Sequence, residues 1–189
     1  MKRTVSIFGP GHPTRQEYNH AAEVGRLLAE RECAVVCGGL YGVMEAACMG
    51  AKEAGGTTID ILRTYNRHDA NPYVDYVIPS GLGDARNVLV ATASEAAIAI
   101  AGRLGTLSEI SIALKHGIPV VGLGTWKLDR HALFDRFLPA AKTPEEAVTM
   151  AIELADKRAA ERRAGKPATD DVAEEVRTEP EDDGSGSLL

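Results

Sequence analysis

Short apolar runs alternate with amphipathic stretches along this chain, and several of the runs stop at a glycine-bearing turn. The runs fall at residues 4–8, 34–37, 57–62, 76–78, 97–101 and 120–122. Runs this short suit strands buried on both faces, and the helical patterns between them suit crossovers. The alternation therefore predicts βαβ units and a mainly parallel sheet flanked by helices, rather than a bundle or a sandwich.

Helix signals fit the same frame. Thr14-Arg15-Gln16-Glu17 reads as a capping box opening a helix to about Arg31, with Ala21, Val24, Leu27 and Leu28 facing inward. A second helix is expected over residues 43–54, stopped by Gly55-Gly56, a third from near Asp84 and a fourth from Thr106. Thr143-Pro144-Glu145-Glu146 combines an N-cap, a proline at the first helical position and a glutamate at the third, so a last helix runs to about Arg163. The charged, Asn-containing stretch 63–72 is expected to be a loop at the sheet rim.

A chain of 189 residues with 44% apolar content is enough for one core. Its net charge of -6 sits in residues 165–189, which hold eight acids and two bases and lose the apolar pattern. The expected organisation is one domain over residues 1–164 and a disordered acidic tail over 165–189. The remainder is neutral, without the basic face that nucleic acid or an anionic membrane would require. The N-terminal segment is too short in apolar residues for a signal sequence, no run reaches membrane-spanning length, and a cytoplasmic protein is expected.

Cys33, Cys37 and Cys48 lack disulfide or zinc spacing and read as small buried residues, so no metal site is expected. His12, His20, His68, His116 and His131 are scattered without ligand spacing. Tyr41, Trp126 and Met44 are candidates to stack on a base, with a core role favoured for Met44.

Chemistry is expected where glycine turns join strand ends to helix starts. Gly102-Arg103-Leu104-Gly105-Thr106 is one such junction, Cys37-Gly38-Gly39-Leu40-Tyr41-Gly42 another, and Gly9-Pro10-Gly11 follows the first run. Glycine lets a ligand approach the backbone, the free amides of the helix start point at it, Thr106 adds a hydroxyl and Arg103 a positive charge. Each element also has a structural reading: tight strand-to-helix turns need glycine anyway, Glu109 could be the far half of a capping box begun by Thr106, and Arg86 alone reads as a solvated helix arginine.

These residues resemble a known family. GDARNVLVATASEAAIAIAGRLGTLSEI and VVCGGLYGVMEAACMGAKEAGG are similar to the LONELY GUY, or lysine-decarboxylase-like (SLOG), superfamily and especially its molybdenum-cofactor-carrier-like branch, over about residues 3–155. The family motif P-G-G-x-G-T-x-x-E is matched by Ala101 to Glu109, the arginine some twenty residues earlier by Arg86, and the G-G-G-x-x-G-L-M segment by Cys37 to Met44. The resemblance implies a Rossmann-like three-layer fold, a homodimer or homotetramer, and a nucleotide or phosphate-bearing ligand held by Gly9, Gly38, Gly39, Gly42, Gly102, Arg103, Gly105 and Thr106. In the hydrolase branch it implies cleavage of the N-glycosidic bond of a nucleoside 5'-monophosphate, with Glu109 stabilising the sugar cation or orienting water and Arg86 holding ligand or carboxylate. No metal or redox cofactor is required.

Three departures separate the chain from that hydrolase pattern: Ala101 replaces the proline, Arg103 the second glycine, and Asn87 the lysine after the arginine. They are what the carrier-like branch, whose members resemble binding proteins for pterin-type or nucleotide ligands, is expected to show. The expectation is therefore a binding protein for a phosphate-bearing ligand, a cofactor carrier, with the phosphoribohydrolase as the alternative. A dinucleotide oxidoreductase is disfavoured, because Gly9-Pro10-Gly11-His12-Pro13-Thr14 lacks the third glycine of G-x-G-x-x-G.

Overall fold

The computed structural model describes residues 3–127 and 138–165. Its centre is β1 (Thr4–Phe8), joined by α1 (Arg15–Glu30) to β2 (Ala34–Cys37) and by α2 (Val43–Glu53) to β3 (Thr58–Leu62). A 3-10 turn at Arg67–Asp69 leads to β4 (Tyr76–Pro79), and a second at Gly83–Arg86 runs into the short α3 (Asn87–Thr92). The chain then passes through β5 (Ala96–Ile100), α4 (Leu104–Lys115), β6 (Val120–Leu123), β7 (Ala140–Ala141) and α5 (Pro144–Arg163). All pairings are parallel, in the order β4-β3-β2-β1-β5-β6-β7. This is the expected Rossmann-like three-layer arrangement.

Alternation along the central strands sends side chains into two cores. Val5 and Ile7 of β1 join Ile98 and Ile100 of β5 beneath α1, α2 and α5. Phe8, Ala97 and Ala99 face the opposite layer, against Val90 of α3 and Ile110 of α4. Burial on both faces explains why these runs carry no polar alternation. Ser6 is the polar exception: its hydroxyl donates to the carbonyl of Val90 at 2.7 Å and lies 2.8 Å from the Ser94 hydroxyl, so it ties the sheet to α3 without an unpaired group.

Most boundaries fall within a residue of expectation, and the differences have local causes. The capping box forms, with Thr14 Oγ1 accepting from Glu17 N–H at 3.3 Å and Thr14 N–H donating to the Glu17 carboxylate at 2.6 Å. Leu27 is only half-buried, at the border of the buried face formed by Ala21, Val24, Gly25 and Leu28. The helix expected from Asp84 begins as a 3-10 turn, and α4 starts at Leu104 rather than Thr106. Strand β7 was not expected: two alanines after Pro139 carry no periodicity to read. Met44 is in the core, as favoured. The acidic segment beyond Gly165 and His131 lie outside the described residues. No described helix is long and apolar enough to cross a membrane.

Helices α1 and α2 meet through reciprocal glycines. A Cβ on Gly25 would collide with the carbonyl of Ala47, and one on Gly50 with the carbonyl of Ala22, so two backbones touch where side chains usually intervene. Gly50→Ala should therefore destabilise the protein by about 1 to 3 kcal/mol in urea unfolding, although alanine is the better helix former by about 1 kcal/mol. Unchanged or increased stability would show that the helices can separate freely.

Candidate functional site

Sheet order places the site. From β1 the chain moves to β2 on one side, while from β5 it moves to β6 on the other, and β1 and β5 are neighbours. The loops leaving their carboxyl ends diverge and open a crevice, where open α/β sheets bind ligands. Gly9 follows β1 so closely against the Ile100 carbonyl, 2.9 Å from an ideal Cβ, that no larger residue fits. Gly42, at φ 73°, lies against the carbonyls of Pro10 and Gly11, and Val43 N–H donates to the Pro10 carbonyl at 3.1 Å. The first two glycine junctions are therefore one structure.

The third junction lies across the crevice. Ala101 sits at φ 51°, a left-handed conformation that alanine rarely adopts, and Gly102 follows at φ 145°. Proline, fixed near φ about -65°, cannot occupy this backbone, so the departure at residue 101 is a change in loop path as well as in side chain. Arg103 is the exposed N-cap of α4, its side chain without an ion-pair partner among the described residues. Because the first intrahelical bond runs from Leu107 N–H to the Arg103 carbonyl at 3.0 Å, the amides of Leu104, Gly105 and Thr106 precede the helical ladder. Thr106 is buried, and the Trp126 indole donates to the Arg103 carbonyl at 3.3 Å, over Gly102. Tyr41 is 59% exposed at the opposite loop.

Arg86 and Glu109 join the two sides. Arg86 is 6% exposed, which overturns its reading as a solvated helix arginine. Its guanidinium lies flat against Gly38, where an ideal Cβ would fall 2.5 Å from Cζ, and Nη1 donates to Glu109 Oε1 at 3.3 Å and to Asn87 Oδ1 at 3.2 Å. Nε is buried and has no partner among the described residues. Glu109 is not the far half of a capping box: with Arg103 at the N-cap, Thr106 takes the third helical position and Glu109 turns inward instead. Burial pushes its carboxyl up to about 7, against the opposing pull of Arg86.

Two residues missed from sequence complete the floor. Asp60 in β3 is buried, with Oδ2 3.4 Å from Asn71 Nδ2 and Oδ1 2.9 Å from the Cys37 thiol. Burial raises its carboxyl to about 6, opposed by the thiols and the charge of Arg86. Asn71 also donates to the Leu40 carbonyl at 3.1 Å and through its own N–H to the Gly39 carbonyl at 2.9 Å, so the 63–72 loop fastens the second glycine turn. The available signal was a lone carboxylate in the apolar run Thr58-Ile59-Asp60-Ile61-Leu62.

Two outcomes follow. A carboxyl titrating higher in the folded chain than unfolded binds protons more tightly when folded, so its contribution is full below about pH 4.5 and lost as pH rises through about 7. Urea unfolding should show this falling component, up to about 1.4 kcal/mol per pH unit, in wild type and not in Glu109→Gln. A parallel pH dependence in the two would show that Glu109 keeps its ordinary affinity for protons. Ala101→Gly should stabilise by about 0.5 to 1 kcal/mol through relief of the left-handed backbone, whereas Ala101→Pro, which also loses the 3.0 Å bond from Ala101 N–H to the Leu123 carbonyl, should destabilise by more than that in the same measurement.

Comparison with known proteins bears on this geometry. An uncharacterised protein of Archaeoglobus fulgidus is 37% identical over 153 residues, 81% of this chain and 97% of that one. The molybdenum cofactor binding protein of the phototrophic bacterium Rippkaea orientalis superposes with a TM-score of 0.76 at 36% identity, covering 82% of this chain and 98% of that one. The molybdenum cofactor carrier protein of Chlamydomonas reinhardtii does so at 0.74 and 32% identity, covering 82% and 99%. The model of the SLOG cluster4 family matches residues 2–153, a segment that runs from before β1 into α5 and contains all the crevice loops and the Arg86–Glu109 pair, and the chain belongs to that family.

Proposed function

We propose that the crevice binds a phosphate-bearing ligand of pterin or nucleotide type, and that the protein carries it as cargo, the molybdenum cofactor being the favoured occupant. The observation that carries this reading is the buried Arg86, whose Nε has no partner among the described residues and whose guanidinium faces two carboxyls, the hydrogen-bonded Glu109 and the nearby Asp60, that burial moves toward neutrality. A buried cation so lightly compensated calls for an anion. Three helix-start amides at Leu104, Gly105 and Thr106, the Thr106 hydroxyl and the unpaired Arg103 supply the donors such a group requires. The structural relatives named for the molybdenum cofactor support the choice of cargo.

One observation favours the alternative phosphoribohydrolase. A carboxyl raised to about 7 is matched to proton transfer near neutrality, so Glu109 could serve as an acid or base beside a ribosyl group. In the carrier reading the same neutral tendency limits repulsion between Glu109 and an anionic cargo.

Mass spectrometry of the natively purified protein should detect a co-purifying phosphate-bearing pterin or nucleotide. Calorimetry with the identified compound should show Arg103→Gly weakening binding by about 1.5 to 3 kcal/mol and Thr106→Val by about 0.5 to 1.5 kcal/mol. No base should be released from AMP, GMP, IMP or CMP. Base release by wild type that disappears in Glu109→Gln would overturn the carrier in favour of the hydrolase, and binding unaffected by both loop variants would remove the ligand from this crevice.

A further inference from the structure

Beneath the second glycine turn, Cys37, Cys48 and Asp60 converge on one buried point. Cys37 ends β2, Asp60 is its register partner in β3, and Cys48 comes down from the middle of α2. Cys37 Sγ lies 3.6 Å from Cys48 Sγ and 2.9 Å from Asp60 Oδ1, and Cys48 Sγ lies 3.8 Å from the same oxygen. All three side chains are fully buried.

As a hydrogen-bonded cluster this arrangement is poor. The buried carboxylate receives two thiols, which are weak donors, and one amide stretched to 3.4 Å. Arg86 acts on it only as a charge, since among the described residues it pairs with Glu109 instead. Core sites usually place an apolar residue here, or pair a carboxylate with a cation.

As a ligand set the same distances are favourable. Two thiolates bound tetrahedrally at about 2.3 Å from zinc sit about 3.8 Å apart, and a thiolate and a carboxylate oxygen about 3.5 Å apart. The sulfur–sulfur side and the Cys48–Asp60 side depart from this by about 0.2 to 0.3 Å, and the Cys37–Asp60 side, at 2.9 Å, would have to lengthen by about 0.6 Å. Two sulfurs and one oxygen select a thiophilic divalent ion over magnesium or calcium. Asn71 stands behind Oδ2 as an orienting partner, and its other bonds run to Leu40, Gly39 and Tyr73, so a bound ion would be linked to the ligand loop.

We propose that Cys37, Cys48 and Asp60 bind one zinc-class cation. Binding replaces two S–H bonds by two metal–sulfur bonds and adds the carboxylate oxygen, releasing two protons to solvent and changing no oxidation state. The site fastens β2, α2 and β3 under the crevice floor, and testing it does not require the crevice ligand to be known.

Because the point is buried, the full chain should be unfolded and refolded with cobalt(II) under a phosphine reductant. The expected result is one cobalt per chain, with a near-ultraviolet thiolate-to-cobalt charge-transfer band that zinc displaces. Cys48→Ser should lose the charge-transfer band or lower its intensity by half, Cys33→Ser should leave it unchanged, and Asp60→Asn should weaken binding at least about tenfold while the thiolate band persists. Circular dichroism checks that each variant is folded; if Cys48→Ser fails to fold, Asp60→Asn and Cys33→Ser decide. Absence of the thiolate band in folded, reduced wild type, or a band indifferent to both Cys48→Ser and Asp60→Asn, would overturn the site.

Discussion

A guanidinium held between a glycine and a carboxylate organises the whole carboxyl edge of this sheet. Arg86 can lie flat on the β2 turn only because Gly38 has no side chain, and it can be buried only because Glu109 reaches it from the inner face of α4. Each member limits the others: a larger residue at position 38 would eject the arginine, and removal of either charge would strand its partner away from water. The pair therefore ties the β2 loop to the inner face of α4.

A buried ion pair is weak evidence for stability, because desolvation offsets most of the attraction. Here the offset is visible in Glu109, whose carboxyl leans toward neutrality despite an arginine at 3.3 Å. Such a pair is better suited to responding to a third charge than to holding a fold together. The hydrophobic cores on the two faces of the sheet already perform the latter task, with β1 and β5 contributing to both.

Much of this architecture was legible in the residues. Buried strands, the Thr14 capping box and the Pro144 helix start leave strong local patterns, because burial and backbone satisfaction act over a few neighbouring positions. Gly9, Gly38 and Gly42 were legible as turn residues because strand-to-helix turns restrict composition, and the fold places them with Thr106 at the carboxyl edge of the sheet. Arg86 and Glu109 were legible as residues, and their pairing only as one option that the family resemblance implied, since 23 positions separate them and no periodicity records a pairing across layers. Asp60 and Asn71 were missed for the same reason. The two thiols facing Asp60 are brought together by strand register and helix packing, which spacing does not encode. β7 was too short to announce itself.

The two borders of the sheet also bear on how the molecule keeps company with others. One outer strand, β7, is only two residues long, and the other, β4, ends in Pro79, which has no amide to offer. Neither makes a good template for an incoming chain, so lateral growth into fibrils is discouraged at both margins. Any contact between copies would fall to the helical surfaces, where apolar Val88 and Leu89 face solvent and side-chain shape, rather than backbone pairing, would decide which neighbour is accepted.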